Sequence, residues 1–500
     1  MDAIVQRPTV APTPVEAICN HIGGVLKGRK VEGNVGITGI TLRSHDVRPG
    51  DIFAALPGQN THGAMYAGEA IENGAVALVT DPAGSALLKD CGVPVIIVAA
   101  PRSLLGSMAD LVYGSPAAAL SLAGVTGTNG KTTVMTMVAA ALVAAGKQTG
   151  TLGTLGVTFN GVHREGVRTT PEAPDVHAIL AAMAASHISN VVMEVSSIAV
   201  CEHRVDGLTF DVMGFTNLTQ DHLDYHGDME TYFTAKAAMF TPDRTACGVI
   251  SLDDEWGKRL VTTLRESHGV RIVTVSSTGE DADWRIRYHG MAAHIAGPNE
   301  VSIEMRLPMP GAVNAANTVM ALAMADVLGL QPGPAAQAIG HVRVPGRCEM
   351  IEVPGFPMVI VDYAHTPDAI ARMVELAREA VSGRVIVVLG AGGDRDSSKR
   401  PLMGAAAGMG DHVIVTDDNP RGEDPRSIRA LVISGIGPKA AVDEIADRAE
   451  AITHAVNLAK SDDVVLVLGK GHESGQQVGE TIYPFDDRDA VRAALGGTKA

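Results

Sequence analysis

One glycine-rich stretch has the residue types and spacing that could bind the phosphates of a nucleotide: Gly127-Thr128-Asn129-Gly130-Lys131-Thr132-Thr133. It follows the apolar run 120–125 and precedes a helix-forming segment, 134–145. A strand, a glycine-rich turn and a helix in this order direct backbone N–H groups at an anion. The lysine of such a loop reaches the outer phosphates, and the threonine after it reaches Mg²⁺. Val125 stands where the usual pattern has its first glycine, so a glycine turn without a ligand remains the alternative.

Two later segments carry groups that could hold the Mg²⁺ of a nucleotide. Glu194 ends an apolar strand, where a carboxylate is a hard oxygen ligand for a hard cation, although it could also cap a helix. His222 comes early in the stretch 221–226, whose spacing matches no zinc motif. We interpret His226 of that stretch as a loop side chain. On sequence alone, Lys236 is a solvated lysine of a helix over 229–240.

The last third of the chain has four polar loops that each follow an apolar strand: 362–367, 390–395, 417–421 and 469–473. Asp362 could accept a hydrogen bond from a ribose hydroxyl. Asp418 and Glu473 suit ammonium groups, and Arg395 and Arg421 suit carboxylates. The loops together predict a ligand with both kinds of charge. A surface salt-bridge network is the alternative.

Strands and helices that alternate along the chain must position these loops. The strand candidates are 36–42, 52–55, 75–79 and 93–98, then 120–125, 190–195, 211–216, 248–252 and 271–275, then 358–362, 384–389, 412–416 and 464–468. Buried β-branched strands between helices indicate parallel sheets, and 286–307 indicates an antiparallel excursion. We predict an α/β protein of three domains: 1–118, a central P-loop domain at 119–344 with a parallel sheet, and a Rossmann-like domain at 345–500. Ligand sites of such sheets lie beyond the carboxyl ends of the strands, so the loops should face common clefts.

Composition limits the classes of function. A chain of 500 residues suggests about three domains, and 46% hydrophobic residues can fill their cores. Only 3% aromatic residues and a net charge of −16 disfavour a nucleic-acid partner. Five scattered cysteines indicate a reducing compartment without a zinc or disulfide framework. No signal peptide and no apolar run of ~20 residues is evident, so we expect a soluble, cytoplasmic protein without a membrane partner.

Seven motifs in one order carry a resemblance to a known family: the phosphate loop, Met193-Glu194-Val195-Ser196-Ser197, Asp221 to His226, Asp362 to Pro367, Gly392 to Asp396, Asp418 to Arg421 and Gly469 to Glu473. Over essentially its whole length the chain resembles the Mur ligases, of the diaminopimelate-adding (MurE) type. The resemblance implies that ATP phosphorylates the peptide carboxylate of UDP-N-acetylmuramoyl-L-alanyl-D-glutamate. The amine of meso-2,6-diaminopimelate then attacks the acyl phosphate, in a step of peptidoglycan precursor synthesis.

The resemblance also implies roles for residues around ATP and Mg²⁺. Lys131, His222 and Lys236 match the family's catalytic positions, and Lys236 matches a lysine that the family carbamylates. This replaces the solvated-helix interpretation, because a carbamate offers oxygen to a metal. The implied Mg²⁺ ligands are Thr132, Glu194, His222 and carbamylated Lys236. Beyond the phosphate loop, the implied ATP-binding residues are Asn314, Asn317, Arg347 and Asp362.

For the UDP-linked substrate, the matching positions are Ser44, Gln59, Asn60, Thr61, Thr169, Thr170, Ser196, Glu202 and Arg204. The chain departs from the family's common residues nearby, at His45, His62, Arg168, Ile198 and Glu202. Glu202 replaces a neutral amide with an anion, which leaves its role open.

The matching positions for diaminopimelate are Arg395, Asp418, Asn419, Pro420, Arg421, Gly469 and Glu473. In the family, Asp-Asn-Pro-Arg goes with meso-diaminopimelate, and Arg421 can bind its distal carboxylate bidentately, which lysine lacks. The resemblance is compatible with a monomer. Alternatives are another ligase of the superfamily, such as a folylpolyglutamate synthase or a Mur enzyme adding a different residue, or a nucleotide-gated regulatory protein without ligase chemistry.

Overall fold

The computed structural model describes residues 7–27, 35–58, 60–88, 91–166, 168–267 and 269–496. Three sheets rich in parallel strands follow one another along these ranges, with helices between the strands, so the predicted α/β class is confirmed. Boundaries near 118 and 344 would separate the three sheets, and as domain limits they stay a prediction. No helix of the described ranges has both the length and the apolar character needed to cross a bilayer.

The first sheet has a parallel core with one antiparallel edge strand. The elements before residue 120 are β1 Thr13–Pro14, α1 Val15–His21, β2 Val25–Lys27, β3 Gly36–Ile37, β4 Gly39–Thr41, a 3-10 helix Ser44–Asp46, β5 Asp51–Ala55, a 3-10 helix Gly63–Tyr66, α2 Ala67–Glu72, β6 Ala77–Thr80, α3 Pro82–Leu87, β7 Val95–Ile97, α4 Pro101–Val112 and a 3-10 helix Pro116–Ala119. The strand order is β2-β7-β6-β5-β4, and β1 pairs with β3 separately. The prediction of one strand over 36–42 is therefore wrong. Thr38 separates β3 from β4, and its N–H donates to Gly50 O at 2.9 Å.

The second sheet is the largest and contains the phosphate loop. Its elements are β8 Ser121–Thr126, α5 Lys131–Ala144, β9 Thr149–Gly153, β10 Gly156–Phe159, β11 Val162–Arg164, α6 Ala173–Ala185, β12 Asn190–Glu194, α7 Ser197–Cys201, β13 Phe210–Phe215, α8 Leu223–His226, α9 Met229–Ala237, β14 Thr245–Ser251, α10 Glu255–Ser267, β15 Arg271–Ser276, β16 Trp284–His289, β17 Ala292–Ala296, β18 Ser302–Arg306, α11 Ala312–Val327 and α12 Pro332–Ile339. The strand order is β11-β10-β9-β12-β8-β13-β14-β15-β16-β17-β18. Strands β9 to β16 of this order are parallel, and both edges are antiparallel hairpins. The predicted antiparallel excursion is confirmed.

The third sheet carries the last four polar loops. Its elements are β19 Glu349–Ile351, β20 Met358–Asp362, α13 Pro367–Ala380, β21 Val385–Leu389, α14 Lys399–Ala407, β22 His412–Val415, α15 Pro425–Gly435, β23 Ala441–Glu444, α16 Arg448–Leu458, β24 Val464–Leu468, β25 Gly475–Val478, β26 Thr481–Pro484 and α17 Asp487–Ala494. The order is β19-β20-β24-β21-β22-β23, parallel except for β19, and β25 and β26 form a hairpin. All four predicted strands are present. β19, β23, β25 and β26 were not predicted, because none of them is a buried apolar run.

One apolar cluster joins the second and third sheets. It runs from Val125 and Val138 of the phosphate-loop region through Met309 to Ile360 and Val387 of the third sheet, and all five side chains are buried. Packing at interior density holds the loops at the carboxyl ends of both sheets in fixed relative positions.

Candidate active site

The phosphate loop requires glycine at two positions. Gly127 and Gly130 have φ angles of +142° and +87°. A Cβ on Gly127 would lie 1.9 Å from Thr216 Oγ1, and one on Gly130 would lie 2.3 Å from Asn317 Oδ1. Only glycine fits both the backbone conformation and the space, so the loop packs closely against Thr216 and Asn317.

The segment that follows β13 fixes the conformation of the phosphate loop. Asn217 accepts from the Thr128 N–H at 2.9 Å through its backbone oxygen and from the Asn129 N–H at 3.0 Å through its side chain. The Lys131 ammonium turns back onto Gly127 O at 2.9 Å and Thr128 O at 2.8 Å. Burial lowers the pKa of Lys131, whereas the charge of Glu194 opposes that change. A phosphate would give this lysine an anionic partner in place of two carbonyl groups.

Glu194 is a buried carboxylate whose hydrogen-bond donors among the described residues are neutral. It accepts from Thr132 Oγ1 at 3.0 Å and from Thr154, through N at 2.7 Å and through Oγ1 at 3.0 Å. Within the described ranges, no cationic side chain forms an ion pair with it. An anion buried without a cation favours a bound metal ion, and the carboxylate and hydroxyl oxygens suit Mg²⁺. Thr154 was missed from sequence, where only its place after a strand could have indicated it.

Lys236 lies inside the site rather than on a solvated helix face. Its side chain is 1% exposed, so the interpretation drawn from the helix alone is wrong. The ammonium donates to Gly127 O at 2.8 Å and lies 4.6 Å from the centre of the Tyr232 ring. Burial and the charge of Lys131 put the pKa of Lys236 well below its ordinary value. Tyr232, which shares a 3.1 Å hydrogen bond with Thr128 Oγ1, was not predicted either.

The two histidines of the following loop have different environments. His222 has φ +53°, and burial lowers its pKa to about 4, which keeps the ring neutral. A neutral imidazole can accept a metal ion. His226 belongs to α8, is buried and shares a 2.9 Å hydrogen bond with Ser197 Oγ, so its interpretation as a loop side chain is wrong.

The protein alone offers an incomplete metal site. Among the residues that the structure describes, no three His, Cys, Asp or Glu side chains converge on a point where a metal ion could bind. Mg²⁺ usually binds through one or two carboxylates together with waters and substrate phosphates, so Thr132 and Glu194 fit such an ion only with a nucleotide present.

A cavity of about 470 Å³ opens beside the phosphate loop. The predicted residues Asn314, Asn317, Arg347 and Asp362 all line it, together with Asn129 and Gly130. Asp362 is fixed by the N–H groups of Cys348 and Ala364, each at 2.7 Å. The Arg347 guanidinium lies 4.3 Å from the centre of the Tyr363 ring and donates to Thr132 Oγ1 at 3.4 Å. The cavity is therefore a cleft between the second and third sheets, with polar groups on both walls.

A second cavity, of about 820 Å³, is lined by His222 and adjoins the first. It collects predicted residues from two groups: Thr169, Thr170, Ser196 and Arg204 from the second sheet, and Arg395, Asp418, Asn419, Arg421, Gly469 and Glu473 from the third. Ser44, Asn60, Thr61, Glu202 and Pro420 are not among its lining residues, and Gln59 lies outside the described residues. The residues predicted for two substrates thus share one space, which adjoins the first cavity because Tyr363, His365 and Asp368 line both.

Within the described residues, three charged side chains at the third-sheet end of this cavity have no ion-pair partner: Arg395, Arg421 and Asp418. Glu473 pairs with Lys470 at 3.2 Å, so the four predicted groups do not form a salt-bridge network among themselves. Arg421 donates to Gly393 O at 2.7 Å, and burial together with the charge of Arg395 lowers its pKa. Two neighbouring cations without carboxylate partners favour an anionic ligand.

Lys470 joins the two loops that carry these groups. It is fully buried and donates to Asn419 Oδ1 and to Glu473 Oε2, both at 3.2 Å. Asn419 also donates to Glu473 Oε2 at 3.0 Å. The Asn419 side chain therefore connects the loops, and Lys470 is a positioning residue that the sequence did not single out.

A buried ion pair supports the same loops from behind. Arg448 and Asp487 are both 0% exposed and meet at 2.7 Å. Arg448 also donates to the O of Leu468, the residue before Gly469, at 2.9 Å. Breaking such a pair by removing one partner typically costs about 3–5 kcal/mol. The loop that carries Glu473 thus begins at a rigid point.

Glu202 connects the first and second sheets. Its carboxylate lies 3.1 Å from Arg102 Nη1, which α4 carries, and accepts from the Tyr225 hydroxyl at 2.7 Å. Arg102 also pairs with Glu172 at 3.2 Å, as does Arg204. Glu202 therefore acts through other side chains, and the structure gives it no place on the cavity wall.

Glu202→Gln is expected to change activity by less than about threefold and stability by less than about 1 kcal/mol, because partly exposed pairs contribute little. Steady-state kinetics with the UDP-linked substrate and thermal unfolding would measure both quantities. Arg102→Ala is the matched control, and its effect should not add to that of Glu202→Gln. A KM for the UDP-linked substrate raised more than tenfold in Glu202→Gln alone would instead place Glu202 on the substrate.

Comparisons with known proteins extend over nearly the whole chain. Three family models match it: "Mur ligase family, catalytic domain" at 36–113, "Mur ligase middle domain" at 125–325 and "Mur ligase, glutamate ligase domain" at 346–471. A UDP-N-acetylmuramoyl-L-alanyl-D-glutamate–2,6-diaminopimelate ligase of Streptomyces avermitilis is 41% identical, covering 99% of this chain and 98% of the relative. A ligase of the same name from Corynebacterium glutamicum is 42% identical, covering 95% and 96%. A solved structure of a ligase of that name superposes with a TM-score of 0.67 at 28% identity, covering 97% of this chain and 99% of the other.

Proposed function

This chain belongs to the Mur ligase family, and we propose that it joins meso-2,6-diaminopimelate to UDP-N-acetylmuramoyl-L-alanyl-D-glutamate while ATP becomes ADP and phosphate. The observation that carries the proposal is the single cavity lined by Arg421, Glu473 and His222, which adjoins the cavity beside the phosphate loop. Its two unpaired arginines, Arg395 and Arg421, and the carboxylates of Asp418 and Glu473 suit an amino acid with two ammonium and two carboxylate groups.

The reaction has two steps, and the residues act mainly through position and charge. In the first, an oxygen of the D-glutamate side-chain carboxylate bonds to the γ-phosphorus, and the bond from that phosphorus to the ADP oxygen breaks. In the second, the amine nitrogen attacks the acyl carbon, phosphate leaves with the bonding electrons, and the amine loses a proton. Lys131 offsets charge on the transferred group, which is the main protein contribution to phosphoryl transfer.

Mg²⁺ fits the residues beside the phosphates. Thr132, Glu194, His222 and a carbamylated Lys236 would hold it, and when bound it neutralises charge on the phosphate oxygens. The lowered pKa of Lys236 supports carbamylation, because the neutral amine is the form that reacts with CO₂.

The amino acid is selected at the third sheet. Asp418 and Glu473 bind its ammonium groups, and Arg395 and Arg421 bind its carboxylates. Lysine lacks the distal carboxylate and would leave Arg421 without its partner, which is a strong basis for discrimination. Ser44, Asn60 and Thr61 of the first sheet, with Gln59, hold the UDP end of the other substrate, whose peptide reaches Thr169, Thr170, Ser196 and Arg204.

The cellular setting follows from this chemistry. We place the enzyme in the cytoplasm as a monomer, where it makes a peptidoglycan precursor and so serves cell shape and cell division. ATP and a UDP-activated sugar are cytoplasmic metabolites, which supports this location. Neither nucleic acid nor membrane takes part in the proposed reaction.

Phosphate release from MgATP tests the proposed function. Release should require both the UDP-linked dipeptide and diaminopimelate, and mass spectrometry should show the tripeptide product. Release that is independent of both compounds would favour a nucleotide-gated regulatory protein. With diaminopimelate and lysine in competition, preferred incorporation of lysine would refute the specificity but not the ligase chemistry.

A further inference from the structure

The hairpin of β25 and β26, which follows the Glu473 loop, has no role in the proposed function. Its two strands form a sheet of their own. Val478, Ile482 and Tyr483 of this hairpin are exposed, so these apolar side chains do not anchor it to a core. A two-stranded hairpin alone is marginally stable in water. The position of the hairpin must therefore depend on its polar contacts.

The hairpin bonds to the backbone of Arg421, the residue proposed to select the amino acid. The Arg421 N–H donates to Gln477 O at 3.1 Å, and Arg421 O accepts from the Gly479 N–H at 2.7 Å. Arg421 has φ +51°, in the left-handed region that residues other than glycine seldom adopt. A return to an ordinary backbone conformation would turn the guanidinium in another direction. Two hydrogen bonds from the hairpin thus hold a strained residue in place.

One side chain of the hairpin also reaches this loop. Gln476 Nε2 donates to Asp418 O at 2.8 Å. The next three carbonyl groups of the loop accept instead from backbone N–H groups, at 2.7 to 3.1 Å: Asn419 O from Gly393, Pro420 O from Glu423 and Arg421 O from Gly479. Asp418 is a buried residue, so loss of the Gln476 amide would leave its carbonyl without this donor where water has little access.

We propose that Gln476 is a positioning residue for amino-acid selection, because it fixes the loop from which Arg421 meets the distal carboxylate. The inference rests on the proposed ligase function and adds the hairpin to the amino-acid site. Gln476 is not among the lining residues of the two cavities, so its effect on the substrate passes through the loop to Arg421. The phosphate loop, on the second sheet, is not affected.

Gln476→Ala is expected to raise the KM for diaminopimelate about threefold to tenfold, the loss expected for one hydrogen bond to a buried carbonyl group. The turnover with saturating diaminopimelate and the KM for ATP should both stay within about twofold of wild type. Use of lysine should not fall, because lysine lacks the carboxylate that Arg421 binds. Steady-state kinetics in which each substrate is varied in turn would measure this split.

A double-mutant cycle tests whether Gln476 acts through Arg421. In the Arg421→Ala background, Gln476→Ala should change kcat/KM for diaminopimelate less than about twofold, because the group that it positions is already gone. Gln477→Ala is the matched control. It removes the same kind of side chain from the next residue, where the amide bonds within the hairpin to Gly479 O at 3.2 Å, and it keeps the backbone bond to Arg421. Its KM for diaminopimelate should equal that of wild type.

A wild-type KM for diaminopimelate in Gln476→Ala would overturn the proposal, as would losses that add in the cycle. An equal rise in the KM for ATP would also overturn it, because the hydrogen bond would then support the whole protein rather than the amino-acid loop. If the wild-type protein formed no tripeptide from diaminopimelate, the ligase function itself would be refuted, whatever the variants showed.

Discussion

Lys236→Ala is expected to lower ligase turnover about 10²–10³-fold, the range seen when one preorganised electrostatic group is removed from a reaction site. The side chain is buried against Gly127 O and the Tyr232 ring, within the same enclosure as Lys131. If its carbamate is the active form, the nitrogen must first be neutral, and the lowered pKa provides this. Steady-state turnover with saturating substrates measures the loss.

Lys236→Arg tests whether catalysis needs the carbamate or only a positive charge, since a guanidinium remains cationic and forms no stable carbamate. It should be as inactive as Lys236→Ala. A ¹³C carbonyl resonance after incubation with labelled bicarbonate should appear in wild type and be lost in Lys236→Arg. Lys147→Ala, at an exposed lysine of the second-sheet region, serves as control. Wild-type turnover in Lys236→Arg would contradict a catalytic carbamate.

Arg421→Ala is expected to reduce kcat/KM for diaminopimelate about 10²–10³-fold, because the distal carboxylate would lose a bidentate, partly desolvated partner. The KM for ATP should change less than about twofold, since the cavity beside the phosphate loop is lined by other residues. Lysine, which lacks that carboxylate, should be used no less well than by wild type. Kinetics with each amino acid in turn would measure the difference.

Two further variants test whether Arg421 selects the substrate or only supports the loop. Arg421→Lys keeps the charge but not the planar fork, so it should recover only part of the loss. Arg426→Ala removes an exposed arginine of the same region and should behave as wild type. Equal losses with diaminopimelate and lysine would mean that Arg421 supports the loop through Gly393 O rather than selecting the substrate. Unchanged kinetics with diaminopimelate would refute the assignment.

The strands that position the site could be predicted because they are buried on both faces and appear as continuous apolar runs. All four predicted strands of the third sheet are present, as are the strand and helix around the phosphate loop. Polar edge strands such as β23 and β25 carry no comparable pattern, so they were missed. The motifs lie at the ends of predictable strands, which is why most candidate residues could be named.

The remaining site residues depend on contacts between distant parts of the chain. Thr154 reaches Glu194 across 40 residues, and Lys470 reaches Asn419 across 51. No local pattern encodes such a pairing. The burial of Lys236 could not be predicted from local sequence either, because the helix that carries it packs against a loop more than a hundred residues earlier in the chain. Residue types alone therefore predicted that Lys236 is solvated, and only the family resemblance predicted a place in the active site.

The hydrogen bonds from Lys470 to Asn419 and Glu473 limit how substrate preference can be re-engineered or can evolve. The phosphate loop lies on the second sheet, so in the proposed function a new amino acid could be accepted without altering that loop. Grafting the Asp-Asn-Pro-Arg loop alone, however, would leave the recipient's lysine facing a foreign amide. The exchangeable module is both loops together with the Arg448–Asp487 pair behind them. Chimeras cut at those limits should use the donor's amino-acid substrate. Shorter grafts should use neither the donor's nor the recipient's amino acid.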